Sequence, residues 1–144
     1  MDPTTTELKS RLAAVPLFAR CATGDLLVVA QRCDVRTVPA GTQLTRTGEH
    51  GDEFYVLLDG KVEVRRDGLA LSQLAAGDHF GELALLDPAP RNADVVATSE
   101  VTVGVLDRAR FRLVIDAVPG VAEAMLSFLA RRLREESAAV DRDV

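Results

Sequence analysis

The chain has 144 residues, 47% of them hydrophobic and 27% charged, the balance of an ordinary globular domain and not of a disordered or fibrous chain. Seventeen Lys and Arg against twenty-two Asp and Glu leave a net charge of −5, which excludes a diffuse basic surface for nucleic acid or anionic lipid; an anionic ligand would need a local basic site. No apolar run free of Gly and Pro exceeds five residues, as in Leu26 to Ala30, against the roughly 20 that span a bilayer, so no membrane span is expected.

Residues 4–33 are predicted to be helical. Thr4 to Thr6 offer N-caps, Glu7 suits a first turn, and Leu8, Leu12 and Val15 recur at helical spacing before Pro16 stops the run. Thr23 is expected to cap a second segment, Gly24 to Arg32, with Leu26, Leu27, Val29 and Ala30 as its apolar stripe. No basic start followed by an apolar stretch marks a secretory signal. Cys21 and Cys33 show no CxxC or histidine at metal spacing, so they read as inert thiols of a cytoplasmic protein.

From Asp34 to Asp107 the period changes from 3.6 to 2, and Gly or Pro punctuates the chain every eight or so residues. Val35 and Val38 precede a Pro39-Ala40-Gly41 turn. Phe54 to Leu58 is a strand ended by Asp59-Gly60, and Lys61 to Arg65 alternates before Asp67-Gly68 turns the chain into Leu69 to Leu74; both Asp-Gly pairs predict hairpins. With Val95 to Ala97 and Val101 to Leu106, roughly eight strands fit, enough for a double-sheet jelly roll. Asp107 caps a helix from Arg108 to Ile115, and Pro119-Gly120 precedes a longer one from Val121 to about Glu136, with a fraying tail after Ser137. The expected fold is mainly β with flanking helices: one domain over 1–144, an eight-stranded double-sheet jelly roll at 34–107 between N-terminal helices and a C-terminal helical lid at 108–136.

The stretch from Phe80 to Val95 carries the chemistry. Glu82 sits inside an apolar run and Arg91 follows Pro90 at the start of a strand, so each is drawn inward, where a charge needs a partner. They read either as an ion pair joining two segments or as a ligand site. In the second reading, Gly81 through Leu86 forms a short helical turn whose amides face an anion. Arg91 supplies the charge and a fork that matches two phosphate oxygens. Glu82, an acceptor, suits a ribose hydroxyl.

These residues resemble the cyclic nucleotide-binding domain family of protein kinase A regulatory subunits, cyclic nucleotide-gated channels and the catabolite activator protein. Phe80-Gly81-Glu82-Leu83-Ala84-Leu85, a spacer, and Arg91-x-Ala93-x-Val95 match its phosphate-binding cassette, here 80–95. Gly48-Glu49-His50-Gly51-Asp52, Phe54 to Leu58 and Gly60 match the earlier family pattern. The resemblance implies cassette amides (Gly81, Glu82, Leu83, Ala84) and Arg91 on the cyclic phosphate, Glu82 on the ribose 2′-hydroxyl, Asn92 and Ala93 beside them, and a C-terminal helix over the base. Asn92 stands where Ala, Ser or Thr is usual in the family, and could hydrogen-bond guanine, donate to phosphate or point into water. Asp94, where Thr or Ser is common, would weaken binding by like-charge repulsion if it faced the phosphate.

The expected function is a non-catalytic sensor that binds cAMP or cGMP, needs no cofactor or metal, and signals through its terminal helices to an unknown protein effector. A metal-dependent jelly-roll enzyme would need more than His50 and His79, which read as exposed loop histidines. A transcription regulator would need a DNA-reading module of some 60 or more residues after the barrel's helices. The alternatives are a degenerate fold serving as a protein scaffold and a truncated transcription regulator of the catabolite activator type. Gly48, Gly51 and Gly60 read as turn residues needing positive φ, and Val62, Val64 and Leu71 as core or the base side of the pocket. In the last helix nine of the thirteen residues from Val121 to Leu133 are apolar, too many for one stripe, which predicts a second face for another copy of the chain or another protein through Met125 and Phe128. Arg131, Arg132 and Arg134 read as a solvated helix end.

Overall fold

The computed structural model of the protein describes the backbone of residues 4–143 and the side-chain surroundings of residues 4–136. Two short helices lead in: α1 (Thr5–Ala13) and, after a 3-10 turn at Pro16–Phe18, α2 (Thr23–Arg32). Thr4 closes a capping box with Glu7 at the start of α1. Thr23 lies inside α2 instead of capping it. The cap position is Ala22, which has no side-chain bond to offer, and Leu27 on this helix is 40% exposed while Leu26, Val29 and Ala30 are buried.

Eight strands follow: β1 (Asp34–Val38), β2 (Gln43–Thr45), β3 (Glu53–Asp59), β4 (Lys61–Arg66), β5 (Leu69–Ala75), β6 (His79–Phe80), β7 (Asp94–Ala97) and β8 (Val101–Asp107), with a short helix α3 (Glu82–Leu86) between β6 and β7. They form two antiparallel four-stranded sheets, ordered β1-β8-β3-β6 and β2-β7-β4-β5. The chain ends in α4 (Arg108–Ala117), capped by the Asp107 carboxylate on the Arg110 N–H at 2.8 Å, and α5 (Pro119–Asp143). Pro119 therefore starts α5, and the helix continues past Glu136 to Asp143 where fraying was expected. No single described helix is long and apolar enough to cross a membrane.

The five apolar residues of β3 are all buried because this strand has two dry faces. Phe54, Val56 and Leu58 point out of the roll into a core shared with α1, α2, α4 and α5, while Tyr55 and Leu57 point between the sheets with Val62, Val95, Val101, Val103 and Val105. Each such side chain contributes about 1.5–3 kcal/mol by leaving water. The outer core is what ties the terminal helices to the roll, with Met125 and Val121 of α5 seated against it.

The two Asp-Gly pairs do different things. Asp67 and Gly68 both take positive φ (53° and 77°), the signature of a tight primed turn, and join β4 to β5 as a hairpin. Asp59-Gly60 makes no hairpin, because β3 and β4 belong to different sheets. Gly60 (φ 91°) turns the chain across the edge of the roll, and a Cβ there would collide with the Glu100 carbonyl, so only glycine allows this corner.

Candidate functional site

The site is built where β6, α3 and β7 meet the open face of the second sheet. Gly81, between β6 and α3, sits at φ 92°, and a Cβ on it would lie 2.8 Å from the Glu53 carbonyl oxygen and 2.9 Å from Arg91 Nη1. The left-handed backbone and this close approach both demand glycine. α3 begins immediately after it, with no side-chain cap on its first-turn N–H groups. These elements form one wall of a cleft of about 750 Å³, with Val64, Leu71, Ser72 and Leu74 from β4 and β5 opposite and Phe128, Arg132 and Glu135 of α5 at its mouth.

All seven residues singled out from the sequence line this cleft: Gly81, Glu82, Leu83, Ala84, Arg91, Asn92 and Ala93. Glu82 (3% exposed) and Arg91 (8%) are buried with Ala84 and Ala93, whereas Leu83 and Asn92 are exposed. The ion pair that would have explained Glu82 and Arg91 without a ligand is not formed among the described residues. Arg91 donates instead from Nη1 to the Gly81 carbonyl (2.8 Å) and from Nη2 to the Glu53 carbonyl (2.6 Å), leaving part of its five-donor fork unspent. The Glu82 carboxylate faces His79, whose Nδ1 lies 3.6 Å away.

His79 corrects the expectation of an exposed loop histidine: its side chain is 6% exposed, on a strand, between the rings of Phe54 and Phe128. Gly51 is a second correction. Its φ is not positive; it is small because a Cβ would fall within the Arg91 guanidinium. The Gly48–Gly51 loop is the back wall of Arg91, held by Arg91 N–H to the Glu49 carbonyl and Gly48 N–H to the Arg91 carbonyl, both 2.8 Å. Asp94 does not line the cleft. Its carboxylate accepts the Thr47 N–H at 2.7 Å, so the expected repulsion of a phosphate loses its geometric basis.

On α5 the phase differs from expectation. Met125 is 2% exposed in the outer core and Phe128 faces the cleft, so the outward apolar positions are Leu126 and Leu133. Arg132, read as part of a solvated helix end, stands over the Phe128 ring at 5.9 Å and lines the cleft. The i, i+4 spacing of Phe128 and Arg132 was the available signal, since it places both on one helix face. Val62, by contrast, is fully buried and belongs to the core alone.

Behind Arg91 the first sheet carries a second charged group. Arg36 bonds Glu53 through both Nη atoms (3.2 and 2.7 Å), and the Tyr55 hydroxyl donates to the same carboxylate at 2.9 Å. The Arg36 hydrogen bond, then that of Tyr55, holds the Glu53 carboxyl below its usual range, while burial and the neighbouring carboxylate push the Tyr55 hydroxyl up to about 12. A depressed carboxyl stabilises the fold fully above its ordinary value of 4.5 and loses that contribution as the pH falls through the folded value. Glu53→Gln is therefore expected to lower the melting temperature at neutral pH, and the two proteins should converge as the pH falls below 4.5 and through the folded value. A constant gap from neutral to acid would contradict this.

Both cysteines are free; burial raises the Cys21 thiol and pushes that of Cys33 up to about 12, which disfavours the thiolate at both. Among the described residues no three His, Cys, Asp or Glu side chains cluster as a metal site.

Comparison with known proteins agrees with this geometry. Residues 35–117 match the family model of the cyclic nucleotide-binding domain. The chain is 35% identical over 114 residues to a cyclic nucleotide-gated potassium channel of Rhizobium etli, an alignment covering 79% of the chain and 32% of the channel. It is 32% identical over 128 residues to a CRP-like cAMP-activated global transcriptional regulator of Mycobacterium tuberculosis, covering 85% of the chain and 57% of the regulator. The regulatory domain of Toxoplasma gondii PKA, co-crystallised with cAMP, superposes with a TM-score of 0.78 at 28% identity over 89% of the chain and 50% of that structure. The chain thus spans between a third and three fifths of these relatives, and by fold, cassette and family match it belongs to the cyclic nucleotide-binding domain family.

Proposed function

We propose that this domain is a non-catalytic sensor of cAMP, with Arg91 on the cyclic phosphate, the first-turn amides of α3 beside it, and Glu82 on the ribose 2′-hydroxyl. The observation that carries the reading is Arg91: an arginine 8% exposed, its guanidinium fixed by two backbone carbonyls and still holding free donors in a cleft of a chain of net charge −5. No carboxylate among the described residues lies within 4.0 Å of it, which leaves a buried cation for an anion to neutralise. The cassette amides add the partial positive charge of a helix start beside this buried cation, while Arg66 and Arg132, which also line the cleft, are exposed. Two relatives whose names carry cAMP support the choice of nucleotide. The unpaired thiols support a reducing, cytoplasmic setting. Calorimetric titration with cAMP, cGMP and 5′-AMP tests the reading. cAMP should bind and 5′-AMP, with its extra charge, should bind far more weakly; no binding by any of the three at high micromolar concentration would leave the fold as a protein scaffold.

The signal leaves through the terminal helices. Phe128 and Arg132 place α5 on the rim of the cleft, and Val121 and Met125 root the same helix in the outer core, so a ligand that touches the rim bears on both. A ligand shifts a conformational equilibrium only through contacts that differ between the two states. Hydrogen exchange along α5 is expected to slow with saturating cAMP, and unchanged protection would remove the helix from signalling.

A further inference from the structure

We infer that His79 is a positioning residue of this site: its ring orients the Glu82 carboxylate for the ligand's ribose hydroxyl. The inference rests on the reading of the cleft as a cyclic nucleotide site. Its structural basis is a mismatch. Nδ1 of His79 is a buried polar atom with no hydrogen-bond partner, yet it lies 3.6 Å from Glu82 Oε2, with the two side chains only 6% and 4% exposed. A buried polar atom left unpaired is costly, and a ring-nitrogen lone pair facing a carboxylate is repelled as well. A proton on Nδ1 removes both penalties, because N–H then donates to Oε2 as the two groups close by well under 1 Å to hydrogen-bond distance.

The rest of the surroundings leaves Glu82 as the natural partner. Phe54 and Phe128 cover the ring at 5.6 and 4.5 Å and exclude water from that side. Asp78, the preceding residue, directs its carboxylate to the Ala75 N–H at 2.9 Å. Arg131 of α5 and Arg20 beyond the 3-10 turn share with His79 a smaller groove of about 320 Å³, and Arg132 lies across the Phe128 ring. Among the described residues the only carboxylate within 4.0 Å of His79 is Glu82.

A carboxylate has two oxygens and about four lone-pair sites, so one oxygen held by His79 leaves the other for a hydroxyl in the cleft. Pinning it reduces the rotamer freedom lost on binding.

The test is the ratio of affinities for cAMP and 2′-deoxy-cAMP, measured by calorimetry. His79→Leu should lower the ratio about tenfold, the worth of one charge-assisted hydrogen bond, and His79→Asn, which keeps a donor, should restore most of it. A second readout needs no ligand. The chain has two histidines, so ring-nitrogen NMR resolves His79 from His50 and should find the proton of the neutral ring on Nδ1, from which Glu82→Ala should displace it toward Nε2. Binding with a ratio indifferent to His79, or a His79 tautomer unmoved by Glu82→Ala, overturns the assignment. Wild type that binds no cAMP overturns the ligand reading and the assignment with it.

Discussion

Replacing Arg91 with alanine is expected to weaken cAMP binding by roughly thirtyfold to several thousandfold. Removing one partner of a buried charge pair costs about 2–5 kcal/mol, much of it from leaving the other charge desolvated, and each 1.4 kcal/mol is a factor of about ten. Arg91→Lys should recover only part of this, because an ammonium restores the charge without the fork that spans two oxygens. The apo protein is expected to suffer as well. Arg91 ties β3 to the β6–α3 junction through the Glu53 and Gly81 carbonyls, and losing two charge-assisted bonds of about 1–3 kcal/mol each should lower the melting temperature by several degrees. A drop in apo stability therefore does not distinguish a structural arginine from a ligand clamp; affinity measured on the folded variant does. Folded Arg91→Ala protein that binds cAMP as the wild type does would exclude the phosphate role.

What was legible in the sequence follows from what is local. The helical turn after Gly81, the Thr4 and Asp107 caps and the Asp67-Gly68 hairpin depend on residues within about a dozen positions of one another, and each is found where the pattern placed it. Local pattern fails where a second segment decides. Asp59-Gly60 has the same dipeptide as the true hairpin, but the packing of β3 against β8 and of β4 against β7 sends the two strands into different sheets. β2 and β6 are three and two residues long, too short to show a period. The α5 face could not be phased from nine apolar residues in thirteen; Met125 turns inward because the outer core contains Val118, Val121 and Phe111, which only the fold brings together. His79 was misread for the same reason. Its burial comes from Phe54, 25 positions earlier, and Phe128, 49 positions later, and neither is visible from the loop-like stretch around Gly77 and Asp78.

Gly51 is the position where such a distant contact yields the cleanest test of the site. Its backbone conformation is open to any residue, so Gly51→Ala places no strain on the chain itself. The obstacle is a single group: the new Cβ falls within the Arg91 guanidinium, the mobile end of a long side chain, which can swing away where a backbone carbonyl could not. The fork should then lose its bonds to Gly81 and Glu53 and leave the cleft. Gly81→Ala would be a poorer probe, since it adds a left-handed backbone and a collision with the Glu53 carbonyl to the same contact with Arg91. Gly51→Ala is thus expected to stay folded, with a melting temperature no lower than that of Arg91→Ala, while its cAMP affinity falls by about tenfold or more toward the Arg91→Ala level. Because both substitutions act through one guanidinium, their effects should not add: the Gly51→Ala/Arg91→Ala double variant should bind as Arg91→Ala alone does. Wild-type affinity in Gly51→Ala, or additive losses in the double variant, would mean that the guanidinium position held by this loop is not what grips the ligand.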